Sequence, residues 1–138
     1  ILVNERLQTS DEHIYAIGDC VELREPKPGR KAIEPMWYTA KLMGEVAAKN
    51  ICGNQIDYNP GIWYNSAKFF NIEYQVYGDI PPKKMPHIES VFWRHPDRKH
   101  CIRINYHTID KYVTGFNLLG IRYRHEVCEK WIKDKILA

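Results

Sequence analysis

The sequence predicts an α+β fold: a strand-and-helix segment of α/β character, then a small, mostly antiparallel sheet with a carboxyl-terminal helix. Three observations carry this. Between Pro35 and Ile51, the apolar residues Met36, Leu42, Met43, Val46, Ala47 and Ile51 recur at helical spacing. Beyond the Gly53–Gly61 stretch, the composition changes to aromatic and β-branched residues in short runs punctuated by turn signals. The chain then closes on an amphipathic run from about Arg122 to Ile136, with Tyr123, Val127 and Trp131 along one face.

In order, Ile1–Val3 reads as the end of a strand, and Asn4–Ser10 as a polar connection. Ile14–Ile17 reads as a second strand, ending in Gly18-Asp19. Pro26, Pro28 and Gly29, set among charges, make Arg24–Lys31 an exposed loop. The helix over 35–51 has Pro35 in its first turn and Cys52-Gly53-Asn54 as its stop. The turn-rich Gly53–Gly61 connection sets the domain boundary, giving segments 1–56 and 57–138. Ser66–Tyr77 is strand-rich, with a break at Asn71 and an end at Gly78-Asp79. Ile88–Arg94 and Cys101–His107 flank a polar tip at 95–100, the pattern of a β-hairpin. Tyr112–Leu118 is a further strand before the last helix.

At 138 residues, 44% of them apolar and 27% charged, the composition is that of an ordinary globular protein. A net charge of +3 without a dense Lys/Arg run argues against nucleic acid as partner. No apolar stretch is long enough to span a bilayer and there is no secretory signal, so the reading is cytoplasmic with no membrane partner. Cys20, Cys52, Cys101 and Cys128 lack any zinc-type pairing and read as reduced, mostly packed thiols. His125-Glu126-Val127-Cys128-Glu129 has Glu129 where a His-Glu-x-x-His zinc motif needs its second histidine. His95, His100 and His107 are accounted for by the hairpin and its turn, so no metal site is expected. Trp63, Tyr64, Phe69, Phe70, Tyr74 and Tyr77 read as sheet packing rather than a base-stacking surface.

The most informative stretch is Thr9–Cys20. A polar turn leads into a short apolar run, and Gly18-Asp19 follows at its carboxyl end, where open α/β sheets place ligand-binding groups. Gly18 admits close approach to the backbone, and the Asp19 carboxylate accepts hydrogen bonds from hydroxyls. Thr9, Ile14, Tyr15, Ala16, Ile17, Gly18 and Asp19 together resemble the second FAD-binding motif of the FAD-dependent pyridine nucleotide-disulfide oxidoreductase superfamily. Val3, Glu5 and Leu7 fit the same pattern upstream, and Met36–Ala48 is similar to the family helix that follows the Gly-Asp. More loosely, the strand opening Ser66-Ala67-Lys68-Phe69, Gly78, and Gly115–Arg122 look like the carboxyl-terminal domain of NAD(P)H-dependent flavoprotein reductases.

The resemblance implies that Asp19 holds the ribityl hydroxyls of FAD, that Gly18 permits their approach, and that Met36 and Trp37 neighbour the flavin. Trp37 as a buried anchor is the alternative. It assigns no catalytic residue here. The chain opens without Met at Ile1-Leu2-Val3 and contains no Gly-x-Gly-x-x-Gly loop, so it reads as the carboxyl-terminal part of a longer protein. That parent would pass hydride from NAD(P)H to FAD and on to an acceptor, while the segment alone would bind no FAD and turn nothing over. The competing expectation is a non-enzymatic module, a homodimeriser or partner-docking unit built on the second segment, with an exposed strand edge.

Overall fold

The computed structural model describes residues 1–138, and the fold is α+β as the sequence predicts. The chain divides into two compact units, 1–61 and 62–138, so the division falls at the far end of the turn-rich connection rather than at residue 56.

In the first unit, β1 (Leu2–Val3) pairs in parallel with β2 (Glu22–Leu23), and α1 spans Trp37–Ile51. Thr39, Met43, Ala47 and Asn50 lie on the helix's buried side, spaced for one face of a 3.6-residue repeat. Met43 and Ala47 join Val3, Leu7, Ala16, Val21, Leu23 and Tyr58 in a small core. Ile14–Ile17 is not the expected strand. It runs extended, but its ladder is one isolated bridge, Gln8 to Tyr15, flanked by Thr9 N–H to Ile14 O (2.9 Å) and Ala16 N–H to Leu7 O (3.1 Å). An apolar run becomes a strand only where a neighbour offers a continuous row of partners.

Side chains do much of the joining in this unit. Asn4 Oδ1 accepts from the N–H groups of Arg6 (2.9 Å) and Gln8 (3.0 Å). Buried Asn50 donates to the Arg6 and Ile56 carbonyls (3.1 and 2.9 Å) and accepts from Ile56 N–H (2.8 Å), tying the end of α1 to two loops.

The second unit is one antiparallel sheet in the order β3-β4-β7-β6-β5, made of β3 (Tyr64–Phe69), β4 (Ile72–Gly78), β5 (Ile88–Arg94), β6 (Cys101–His107) and β7 (Val113–Leu119). One register row runs Tyr64–Tyr77–Phe116–Ile104–Val91 across all five strands. The final helix, α2 (His125–Lys133), is shorter than the expected 122–136 and covers that face through Cys128, Trp131 and Ile132. Its buried line therefore lies one residue from the expected Tyr123–Val127–Trp131 line, with Tyr123 44% exposed and Cys128 1%. Burial without a polar partner pushes the Cys128 thiol up to about 11.

Gly78 and Gly115 face one another across β4 and β7. A Cβ at Gly78 would sit 2.3 Å from the Thr114 carbonyl oxygen and 2.7 Å from Ile132 Cδ1, at a backbone φ of +68°. One at Gly115 would meet the Asp79 carbonyl at 2.5 Å, the carbonyl that accepts from fully buried Asn105 Nδ2 (3.2 Å). Both positions require glycine for space.

Candidate functional site

The site begins where the extended Ile14–Ile17 segment turns. Gly18 lies at φ +84°, a left-handed conformation that glycine adopts without strain, and Val21 N–H to Gly18 O (3.1 Å) closes the turn 18–21. At the turn's tip the Asp19 carboxylate is exposed and makes no hydrogen bond or ion pair within the chain. A carboxylate held out this way keeps all its acceptor sites available.

The first turn of α1 comes up beside it. A Cβ built on Gly18 would lie 3.9 Å from the Ala40 Cβ, and one on Gly44 would lie 3.7 Å from Ile17 Cδ1. Small residues at 40 and 44 thus let the helix approach segment 17–18 closely. Met36, half-buried and extended (φ −143°, ψ 143°), is the N-cap but supplies no side-chain bond, and the first turn holds no acidic residue. The first turn of α1 thus lies at the positive end of the helix dipole with no side-chain cap from Met36.

Trp37 is 68% exposed, so it is not a buried anchor. Its ring meets Tyr38 edge-on at 5.0 Å between centroids, and Lys41 Nζ lies 5.8 Å from it. Ile14 and Ile17 are also exposed. The four residues expected to contact a cofactor divide into one partnerless carboxylate, one open glycine turn, one half-buried cap and one exposed indole.

The approach to α1 is fixed by Arg30, which lies in the Arg24–Lys31 segment expected to be an exposed loop, together with Glu34. Arg30 binds both carboxylate oxygens of Glu34, through Nε at 2.8 Å and through Nη2, and its Nη1 donates to the Gly61 carbonyl at 2.9 Å. The two side chains are only 9% and 10% exposed. Burial raises the Glu34 carboxyl, but the Arg30 hydrogen bond and charge, helped by the Lys31 N–H, outweigh it and hold the group below its usual range. The Glu34 carbonyl then accepts from Met36 N–H (2.9 Å), setting the N-cap. Close by, the Tyr58 hydroxyl is buried without a partner, and desolvation pushes it up to about 12.

The thiols depart from expectation. Cys20 and Cys52 are exposed, Cys101 is half-buried, and only Cys128 is packed. The Cys20 Sγ lies 3.5 Å from the Ile17 carbonyl it donates to. The structure also brings together His95, Asp97 and His100, which the sequence reading took only as turn residues. The legible signal was two histidines at the ends of a hairpin tip with an aspartate between them. No helix is long and apolar enough to cross a membrane.

No family model matches the chain. By sequence it is 45% identical over 60 residues to an NADH oxidase of Methanocaldococcus jannaschii, a match spanning 44% of this chain and 13% of that protein. It is 38% identical over 74 residues to an NAD(P)H sulfur oxidoreductase (CoA-dependent) of Pyrococcus furiosus, spanning 53% of this chain and 16% of that one. Its fold matches an NAD-dependent persulfide reductase from A. fulgidus with a TM-score of 0.76 at 26% identity, over 99% of this chain and 28% of the other. These homologues and structural neighbours are pyridine nucleotide-disulfide oxidoreductases. The chain spans less than a third of the length of each of the three.

Proposed function

We propose that this chain is the carboxyl-terminal part of a FAD-dependent NAD(P)H oxidoreductase, in which residues 1–61 complete the FAD-binding domain and 62–138 form the carboxyl-terminal domain. The observation that carries the reading is the partnerless Asp19 carboxylate on the Gly18 turn, set beside the uncapped first turn of α1. The residues fit the cofactor: Asp19 accepts from ribityl hydroxyls, Gly18 presents no side chain to block them, and the positive end of the α1 dipole after Met36 favours an electron-rich flavin edge. FAD supplies the redox chemistry, taking hydride from NAD(P)H and passing electrons to an acceptor. Trp37 is a solvent-side neighbour rather than a packing anchor, and the resemblance assigns this segment no catalytic residue.

The test is flavin content. In the longer polypeptide that this reading requires, Asp19→Ala loses charge-assisted hydrogen bonds of about 1.5–3 kcal/mol, or roughly 10- to 150-fold in FAD affinity. The absorbance ratio at 450 and 280 nm of the purified protein measures it. Alone, the 138-residue chain holds two of the groups a whole site needs and purifies without flavin. A yellow preparation of it contradicts the reading.

One observation favours an additional role in self-association. Along the edge strand β5, Val91, Phe92 and Trp93 are 54%, 61% and 48% exposed, so apolar side chains stand on both of its faces. An open apolar edge pairs readily with a second strand. A concentration-independent dimer in sedimentation, lost with Phe92→Lys, supports a homodimer through β5; a monomer at all concentrations removes it.

A further inference from the structure

The hairpin tip between β5 and β6 carries a group of side chains to which neither the flavin reading nor the self-association reading gives a task. His95 and His100 close the tip as opposed residues, with His95 N–H donating to His100 O (2.9 Å) and Arg98 N–H to His95 O (3.0 Å). Both imidazoles are thereby set side by side at the end of the ladder, next to the Arg94–Cys101 pair. Asp97 is fixed between them: its Oδ1 accepts from the N–H groups of Lys99 (2.8 Å) and His100 (3.3 Å). Its Oδ1 lies 3.1 Å from His95 Nδ1, and its Oδ2 lies 2.6 Å from His100 Nδ1. The ligand atoms of all three residues fall within 4.8 Å of one another.

We infer that His95, Asp97 and His100 form a divalent-cation site of the borderline type, selective for Zn2+ over Mg2+ or Ca2+. Two imidazole nitrogens and one carboxylate oxygen suit zinc, whereas calcium and magnesium ask for an all-oxygen shell. The turn's backbone bonds hold the three donors together before any ion arrives, so little ordering entropy opposes binding. A cation binds the His100 Nδ1 lone pair, and any proton on that nitrogen passes to Nε2 or to solvent. The 2.6 Å separation of Asp97 and His100 then opens to about 3.3 Å, the spacing of two tetrahedral ligands each about 2.0–2.1 Å from zinc. The side chains are one-third to one-half exposed, leaving further coordination positions to water and making the ion exchangeable. Arg98 and Lys99 in the same loop oppose the incoming charge and hold the affinity down. Trp93, whose ring centroid lies 5.8 Å from that of His95, provides a nearby reporter.

The test is a Zn2+ titration of the full 138-residue chain, with thiols kept reduced, in competition with a chromophoric chelator. One equivalent binds, and the 15N resonances of the His95 and His100 imidazoles shift while those of His13 and His125 do not. His100→Gln and His95→Gln each weaken binding at least as much as the about 10- to 100-fold loss typical of removing a group behind a metal ligand. Cys20→Ser with Cys52→Ser leaves it unchanged. Unaltered Zn2+ affinity in both histidine variants overturns the proposal, as does loss of binding with the cysteines or an imidazole shift elsewhere. The imidazole shifts report on the site even if a variant misfolds.

Discussion

Residues 62–138 are held by a backbone ladder, and residues 1–61 by individual side chains. In the former, five strands hydrogen-bond side by side in the order β3-β4-β7-β6-β5, and α2 seals one face over Tyr77 and Phe116 through Cys128. In the latter, regular pairing is limited to two two-residue strands, and Asn4, Asn50 and the Arg30–Glu34 pair join irregular chain around a small core. The difference teaches where each unit is vulnerable. A ladder tolerates loss of one side chain but not a change in the spacing of its strands, whereas polar staples fail one at a time.

The sharpest break comes from Arg30→Ala. Removing one partner of a buried ion pair leaves an uncompensated charge and costs about 3–5 kcal/mol. Hydrogen exchange resolved by residue should show the loss confined to 1–61. Gly78→Ala is the counterpart in the sheet: the clash with Thr114 O and the left-handed backbone cost about 2–4 kcal/mol, with loss of protection along β4 and β7 only. If either change weakens both units equally, the contrast is wrong.

Acid separates the units, whereas alkali loads both, through Cys128 in the sheet and through Tyr58 in the first unit. Folding favours the protonated Cys128 thiol, so its contribution is complete below the ordinary thiol range and is lost as pH rises toward about 11. Cys128→Ala should flatten that alkaline decline in the sheet. Glu34 has the opposite sign. Its depressed carboxyl stabilises the first unit above the ordinary glutamate range, and that stability is lost as pH falls through its lower folded value. Denaturant midpoints measured against pH, with Glu34→Gln as the comparison, check it. The smallest effect is a gain. Phe70, 97% exposed at the β3–β4 turn, sits at φ +54°, and Phe70→Gly should stabilise the sheet by about 1 kcal/mol in chemical denaturation.

The sheet was more legible in the sequence than the first unit, for a physical reason. β5 and β6 run between the residues that the aromatic and β-branched pattern marks, because each strand finds its partner next along the chain. Asn71 signalled the β3–β4 turn, although Phe70 takes the left-handed position. Ile14–Ile17 carries an equally strong apolar pattern, yet pattern cannot say whether a neighbouring strand is present, and here there is one bridge. Two-residue strands such as Glu22–Leu23 leave no period to detect. Arg30 and Glu34 are four apart outside any helix, so the spacing rule that would flag them did not apply. At the candidate site, Gly18-Asp19 is a motif by resemblance, and the structure adds only that it forms an exposed turn. The exposure of Trp37 and the convergence of His95, Asp97 and His100 depend on tertiary geometry.

The central claim is that Asp19 is kept free of partners in order to hold a cofactor. The direct measurement is the FAD dissociation constant of the longer polypeptide bearing Asp19→Ala beside the unaltered protein, with circular dichroism showing both folded. Weakening of about 10- to 150-fold is the predicted result. Equal affinity in the two proteins would contradict the account.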